Sequence, residues 1–193
     1  MAAGLLLTTE ADCALAIGPW PRFRYDARGG GGLSRPVEGK PDGWQGLTFD
    51  PDALRIPSLS ARTTRFLGLP LPPGLRIAIQ PQRLEGQWHP ASGRVELIFE
   101  ARFHLLVAGR PVAPELRVAT RLTTAEARGQ RHQVRGQLLT GEGPGVLVGL
   151  ATVSPTGEAW LDRFLRLPDE ALAVLRCCLR PCDITQENLQ VFP

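Results

Sequence analysis

The 193-residue sequence predicts a mainly β fold: an antiparallel meander of about six strands, curved as a sheet or closed as a barrel, with a C-terminal helix packed on it. Three observations carry this expectation. Apolar and polar residues alternate with a period of two through much of 75–153. Proline and glycine, 18 and 21 residues respectively, punctuate the apolar segments where turns are needed. Beyond Pro155 the apolar spacing lengthens to that of a helix. The length suits a single domain over 1–193.

Taken in order, 5–26 reads as two extended pieces broken at Gly18, Pro19 and Pro21. The second sets Phe23 and Tyr25 against Arg22, Arg24 and Asp26. The unbroken glycines 29–32 predict a flexible Gly/Pro-rich loop over 28–45. Prolines 51, 57, 70, 72 and 73 remove backbone donors, so 50–73 is expected as an irregular wrap over the core. Its anchors would be Leu54, Ile56, Leu59, Phe66, Leu67, Leu69 and Leu71. Were 67–73 exposed instead, it would be a docking surface for a protein partner.

The core meander is expected over 75–153. Leu75, Ile77 and Ile79 alternate with polar neighbours, as do Leu84, Gly86 and Trp88. After a turn at 90–93, Val95, Leu97, Phe99, Ala101, Phe103, Leu105 and Val107 line one face of a long strand. The other face carries Arg94, Glu96, Glu100, Arg102 and His104. A hairpin at Gly109-Arg110 would set His104 against Glu115, Arg102 against Arg117 and Glu100 against Ala119, with Leu116, Val118 and Leu122 extending the apolar face. Val134, Gly136 and Leu138 alternate again, and the 146–153 segment, apolar on both faces, belongs at the centre of a sheet.

A helical region is expected over 157–180. Trp160, Leu161, Phe164 and Leu165 have helical spacing, and Pro168-Asp169-Glu170 suits a helix start. Leu172, Leu175 and Leu179 would form its stripe, Pro181 its stop, and 183–193 an extended tail.

Charge and cysteine content narrow the function classes. Net charge is +3, and Lys40 is the lone lysine among 22 basic residues. Arginine can grip anions, but residues spread evenly along a chain, as here, fit composition bias better, and no nucleic-acid partner is expected. The four cysteines, with Cys177, Cys178 and Cys182 crowded together, do not make a disulfide framework. The short apolar start lacks a basic n-region, no stretch is long enough to span a bilayer as a helix, and the expected compartment is cytoplasmic.

Chemistry-bearing motifs are sparse. His89, His104 and His132 lack metal-ligand spacing, and no cysteine pair has the spacing of a zinc site, so no metal or other cofactor is expected. There is no nucleophile elbow, no phosphate-binding loop and no dinucleotide fingerprint. Glu96, Glu100 and Glu115 alternate with arginines, as on a solvated charged face, and no catalytic residue is assigned.

The segments 83–88 (RLEGQW), 93–103 (GRVELIFEARF), 147–153 (LVGLATV) and 164–172 (FLRLPDEAL) resemble an uncharacterised protein family of cyanobacteria and plastids. The resemblance covers about half the chain. It implies an association with oxygenic photosynthetic organisms and supplies no catalytic residue. In strand pattern the chain is also similar to calycin-like barrels, which hold lipids or pigments.

The function expected is therefore non-enzymatic binding or assembly, on a concave surface that takes an apolar small molecule or a protein segment. The site would lie near Trp88, Phe99 and Phe103, with Arg117, Arg121 and Arg135 available for an anionic group. The alternative is a lyase or isomerase using His104 and Glu115 inside a barrel.

Overall fold

In the computed structural model, which describes residues 3–39 and 41–183, alternation of side chains along extended backbone organises almost the whole chain. β1 (Ala3–Thr9) and β2 (Cys13–Ile17) form one line interrupted near Asp12, which has a φ of 60°. β3 (Phe23–Tyr25) and β4 (Gly31–Gly39) return beside them, β3 on β2 and β4 on β1. β5 (Gln45–Phe49) pairs with β4, and β6 (Thr64–Phe66) pairs with β3 before turning into β7 (Leu69–Pro70).

The long strands follow. β8 (Leu75–His89) pairs with β5 and β9 (Arg94–Val107), and the short β10 (Arg110–Pro111) folds back on β9. β11 (Leu116–Thr123) also pairs with β9, and β12 (Glu126–Arg128) and β13 (Gln133–Arg135) make a separate ribbon. β14 (Gly145–Val153), α1 (Ala159–Leu165) and β15 (Asp169–Asp183) complete the described chain.

Thirteen strands belong to one antiparallel sheet, not about six. Its ladders run β1-β4-β5-β8-β9-β11-β14-β15, and β15 pairs again with β1, Leu7 facing Leu179. The higher count arises because strands come in interrupted pairs: β1 and β2 share β15, β4 and β3 pair with β1 and β2, and β5 and β6 pair in turn with β4 and β3. β11 and β14 meet at Thr123 and Val148, and the Thr120 hydroxyl donates to the Leu150 carbonyl at 2.7 Å. No helix among the described residues is long and apolar enough to cross a membrane.

The predicted register survives in the middle of the β9–β11 hairpin. Arg102 faces Arg117 and Glu100 faces Ala119. The turn itself is at Ala108-Gly109, with Val107 facing Arg110, and two extra residues are absorbed before Leu116. β14 lies between β11 and β15, and its adjacent residues Leu147 and Val148, on opposite faces, are both buried, which explains why both its faces are apolar.

Three segments differ from expectation. Residues 31–39 of the expected loop are strand β4, and a Cβ on Gly31 would lie 1.9 Å from the Leu7 carbonyl oxygen. That glycine serves close strand approach, not flexibility. Within the expected irregular wrap, 64–66 and 69–70 are short strands, while Leu54, Leu59 and Leu71 are buried as anchors. The helix ends at Leu165, and 169–183 is strand β15, paired on both sides. Adjacent Cys177, Cys178 and Leu179 are all buried, and a strand covered on both faces reads as a near-continuous apolar run, in which leucines at helical spacing are coincidence. Lys40 and the expected tail beyond Asp183 lie outside the described residues.

Opposite ends of the circuit differ in packing. At the β8–β9 turn, Leu47, Trp88, Val95 and Leu139 fill the interior. Each such side chain contributes roughly 1.5–3 kcal/mol through burial. The end that carries α1 is less filled.

Candidate functional site: an apolar cavity with an aromatic mouth

A cavity of about 480 Å³ opens at the α1 end. Strand parity sets its lining. The inward positions of β8 supply Leu75, Ile77 and Ile79, those of β9 Phe99, Phe103 and Leu105, and those of β11 Leu116 and Val118. β14 and β15 supply the small residues Gly149, Ala151, Ala171 and Ala173 beside the larger Leu147, Val153, Leu172 and Leu175. The small side chains among them leave a space that close packing would otherwise remove.

Polar groups in the wall are turned into the protein. The Thr9 hydroxyl donates to the Ala27 carbonyl at 2.5 Å, and the Tyr25 hydroxyl donates to the Pro57 carbonyl. Burial, aided by Cys13 and Asp26, pushes the Tyr25 phenol well above its ordinary value, so it remains an O–H donor. Burial likewise pushes the Cys177 thiol up to about 12, with Cys13 and Cys178 adding to the effect. Among the described residues no buried side-chain nitrogen or oxygen lacks a partner. Arg55 is the one charged residue among the described lining, and it is exposed.

The mouth is aromatic. Leu161 and Leu165 fix α1 through its buried face, leaving Trp160 and Phe164 both lining the cavity and about half exposed, at 49% and 56%. The Trp20 indole N–H donates to the Phe164 carbonyl at 3.0 Å, and their rings are 5.0 Å apart. Phe23 and Phe66 stack beside them with centroids 4.9 Å apart.

The predicted site residues divide. Phe99 and Phe103 line the cavity. Trp88 is buried in the filled end, where its indole N–H donates to the Leu139 carbonyl at 3.3 Å. Arg117, Arg121 and Arg135 are exposed: Arg117 pairs with Glu115 at 3.1 Å, Arg121 pairs with Glu96, and Arg135 faces Glu126 in the ribbon. None of the three lines the cavity.

His104 and Glu115 also lie away from it. The His104 ring Nε2 is 3.1 Å from Gln80 Oε1, and Glu115 takes Arg117 and, at 3.6 Å, Arg102. The arrangement therefore gives the lyase or isomerase reading no acid/base pair inside the cavity. Cys177 and Cys178 sit on adjacent positions of a strand, not a helix, and so face opposite sides of the sheet. No group of three or more His, Cys, Asp or Glu side chains suited to a metal occurs among the described residues.

Sequence reasoning missed two features. One is the mouth, whose signal was Trp160 and Phe164 one turn apart and off the Leu161–Leu165 face. The other is a latch below it. The Glu170 carboxylate accepts the backbone N–H groups of Gln130, Arg131 and His132 at 2.7, 3.2 and 2.9 Å, and pairs with His132 Nδ1 at 2.9 Å. Asp169 pairs with Arg131 through two contacts of 2.6 Å. These bonds tie the loop between β12 and β13 to the start of β15.

Comparison with protein-family models, with curated proteins and with solved structures finds no match to this chain.

Proposed function

We propose that this chain is a non-enzymatic binding protein that holds an apolar small molecule, its circuit of ladders closing as a barrel around the ligand. The observation that carries the reading is the cavity of about 480 Å³ with an almost wholly apolar lining. That volume falls in the range of roughly 300–1000 Å³ occupied by small-molecule sites. Because the wall hydroxyls are engaged by protein carbonyls, affinity inside would come from apolar burial, at about 25 cal/mol per Å². Any polar end of the ligand would sit at the mouth. The similarity in strand pattern to calycin-like barrels makes lipids and pigments the first classes to test.

The test uses cis-parinaric acid, a fluorescent polyene fatty acid. Saturable one-to-one binding is expected, and Ala173→Phe, which projects a ring into the cavity, should weaken it at least tenfold. Native mass spectrometry of protein purified from its own host should show an adduct. Lack of saturable binding together with adduct-free native protein would overturn the reading.

A further inference from the structure

We propose that the mouth of the cavity seats on an anionic lipid bilayer, from which the apolar ligand enters without crossing water. The proposal rests on the cavity reading above and adds where loading occurs.

Exposed apolar side chains gather at this end. Among the described residues nine large apolar side chains are exposed, and Leu67, Leu69, Val107, Val112, Trp160 and Phe164 are six of them. Trp160 and Phe164 line the cavity, and register sets Val107 and Leu69 opposite residues that do. Val107 faces Leu75 at the start of β8, Phe66 and Leu69 face each other in the hairpin whose ring partner is Phe23, and α1 is held by Trp20. Apolar residues rimming an opening into an apolar cavity form a contact surface, not scattered exposure.

The β6–β7 turn supplies an independent argument. Leu67 and Gly68 have φ values of 51° and 81°, the pattern of a two-residue turn that favours Asn-Gly or Asp-Gly. Leucine at the first position adopts a left-handed conformation disfavoured for its side chain while remaining 70% exposed. Neither the turn nor the core asks for leucine there. An apolar surface outside the protein does.

Charge selects the occupant. Arg22 lies beside Trp20 and Phe23, while Arg163 and Arg166 lie on and just after α1, and all three are exposed. The acids beside them are Glu158 and Asp162, the latter held ionised by the Thr156 hydroxyl and the N–H groups of Thr156 and Gly157, so the three arginines leave a net positive charge of one here. Arginine around tryptophan, phenylalanine and leucine matches the headgroup and acyl layers of an anionic bilayer. A bilayer is also a source of apolar ligand, so one partner satisfies the rim and the cavity together.

The full chain would be sedimented with vesicles of 70% phosphatidylcholine and 30% phosphatidylglycerol, and with phosphatidylcholine alone. Binding to the anionic vesicles is expected, weakened by salt and at least tenfold by Leu67→Asn combined with Leu69→Ser. Leu67→Asn suits the turn, so this variant should keep its melting temperature and its cis-parinaric acid binding in solution. Uptake of the probe from solution without vesicle binding would overturn the docking proposal and leave the cavity reading intact. Failure of uptake in solution would remove the cavity reading and this proposal with it. A concentration-dependent dimer in sedimentation velocity, abolished by the same variant, would assign the rim to a second copy of the chain and overturn the proposal.

Discussion

Trp20 and Phe164, 144 residues apart, are joined by an indole-to-carbonyl hydrogen bond of 3.0 Å and by rings whose centroids are 5.0 Å apart. The carbonyl is one that the end of a helix leaves without an intrahelical donor. α1 has seven residues, too few to persist without tertiary support. The β2–β3 turn thus holds the element that borders the cavity.

Removing that hold should open the mouth. Trp20→Phe keeps an aromatic ring and loses the donor, at a cost of about 0.5–1.5 kcal/mol. Trp20→Ala removes both contacts. Release of cis-parinaric acid, followed by stopped-flow displacement, should accelerate several-fold in Trp20→Ala and less in Trp20→Phe. Equal release rates in all three proteins would show that α1 does not limit exchange.

The latch below the mouth should make stability fall in acid. Hydrogen bonding to Arg131 holds Asp169 below its ordinary value. For Glu170, burial alone would raise the value, but hydrogen bonds from His132 and from the Gln130, Arg131 and His132 N–H groups together outweigh it and lower it. The folded state therefore binds fewer protons than the unfolded chain, whose carboxylates titrate near ~3.9 for Asp and ~4.3 for Glu. The stabilisation is complete above those values and is lost as pH falls through the lower folded ones. Urea midpoints should drop between about pH 5 and 3, and Asp169→Asn with Glu170→Gln should flatten the drop relative to the parent.

Gly129 tests the same latch from the opposite side. A Cβ there would lie 1.8 Å from Glu170 Oε2 and 2.5 Å from its carboxyl carbon, so the carboxylate must leave its three N–H donors. Gly129→Ala should cost about 1–3 kcal/mol, the penalty for buried groups left unpaired. Combined with Glu170→Gln, the two losses should be clearly less than additive, because both break one network. Full additivity in urea titrations would mean that the loop is held elsewhere.

The contrast between β9 and β15 shows where a sequence reveals a fold and where it does not. Along β9, apolar and charged residues alternate, so pattern gives strand type and pairing, and Arg102 does face Arg117. The same parity that puts Phe99 and Phe103 in the cavity puts Arg117 and Arg121 on the other face, out of reach of a ligand inside. On β15 the consecutive residues Cys177, Cys178 and Leu179 are all buried, so both faces are covered there and the run ALAVLRCCL lacks a polar face to mark its period. The Glu170 latch was illegible for a different reason: it joins a surface loop to a strand end 38–40 residues away through backbone N–H groups, which no side-chain pattern reports.

Trp88 decides whether the two ends of the circuit are separate in function as well as in packing. It is 7% exposed and packs among Leu47, Val95 and Leu139, with its N–H on the Leu139 carbonyl. Trp88→Ala should therefore cost about 3–5 kcal/mol by leaving a cavity in a filled core. Trp88→Phe keeps most of the packing and leaves that carbonyl without its donor, at about 1–3 kcal/mol. Trp88 is not among the residues that line the cavity. Cis-parinaric acid affinity in the Trp88→Phe protein should then stay within about twofold of the parent while the urea midpoint falls. A tenfold loss of affinity would instead mean that ligand reaches the β8–β9 end, and that the cavity and the packed core are one continuous site.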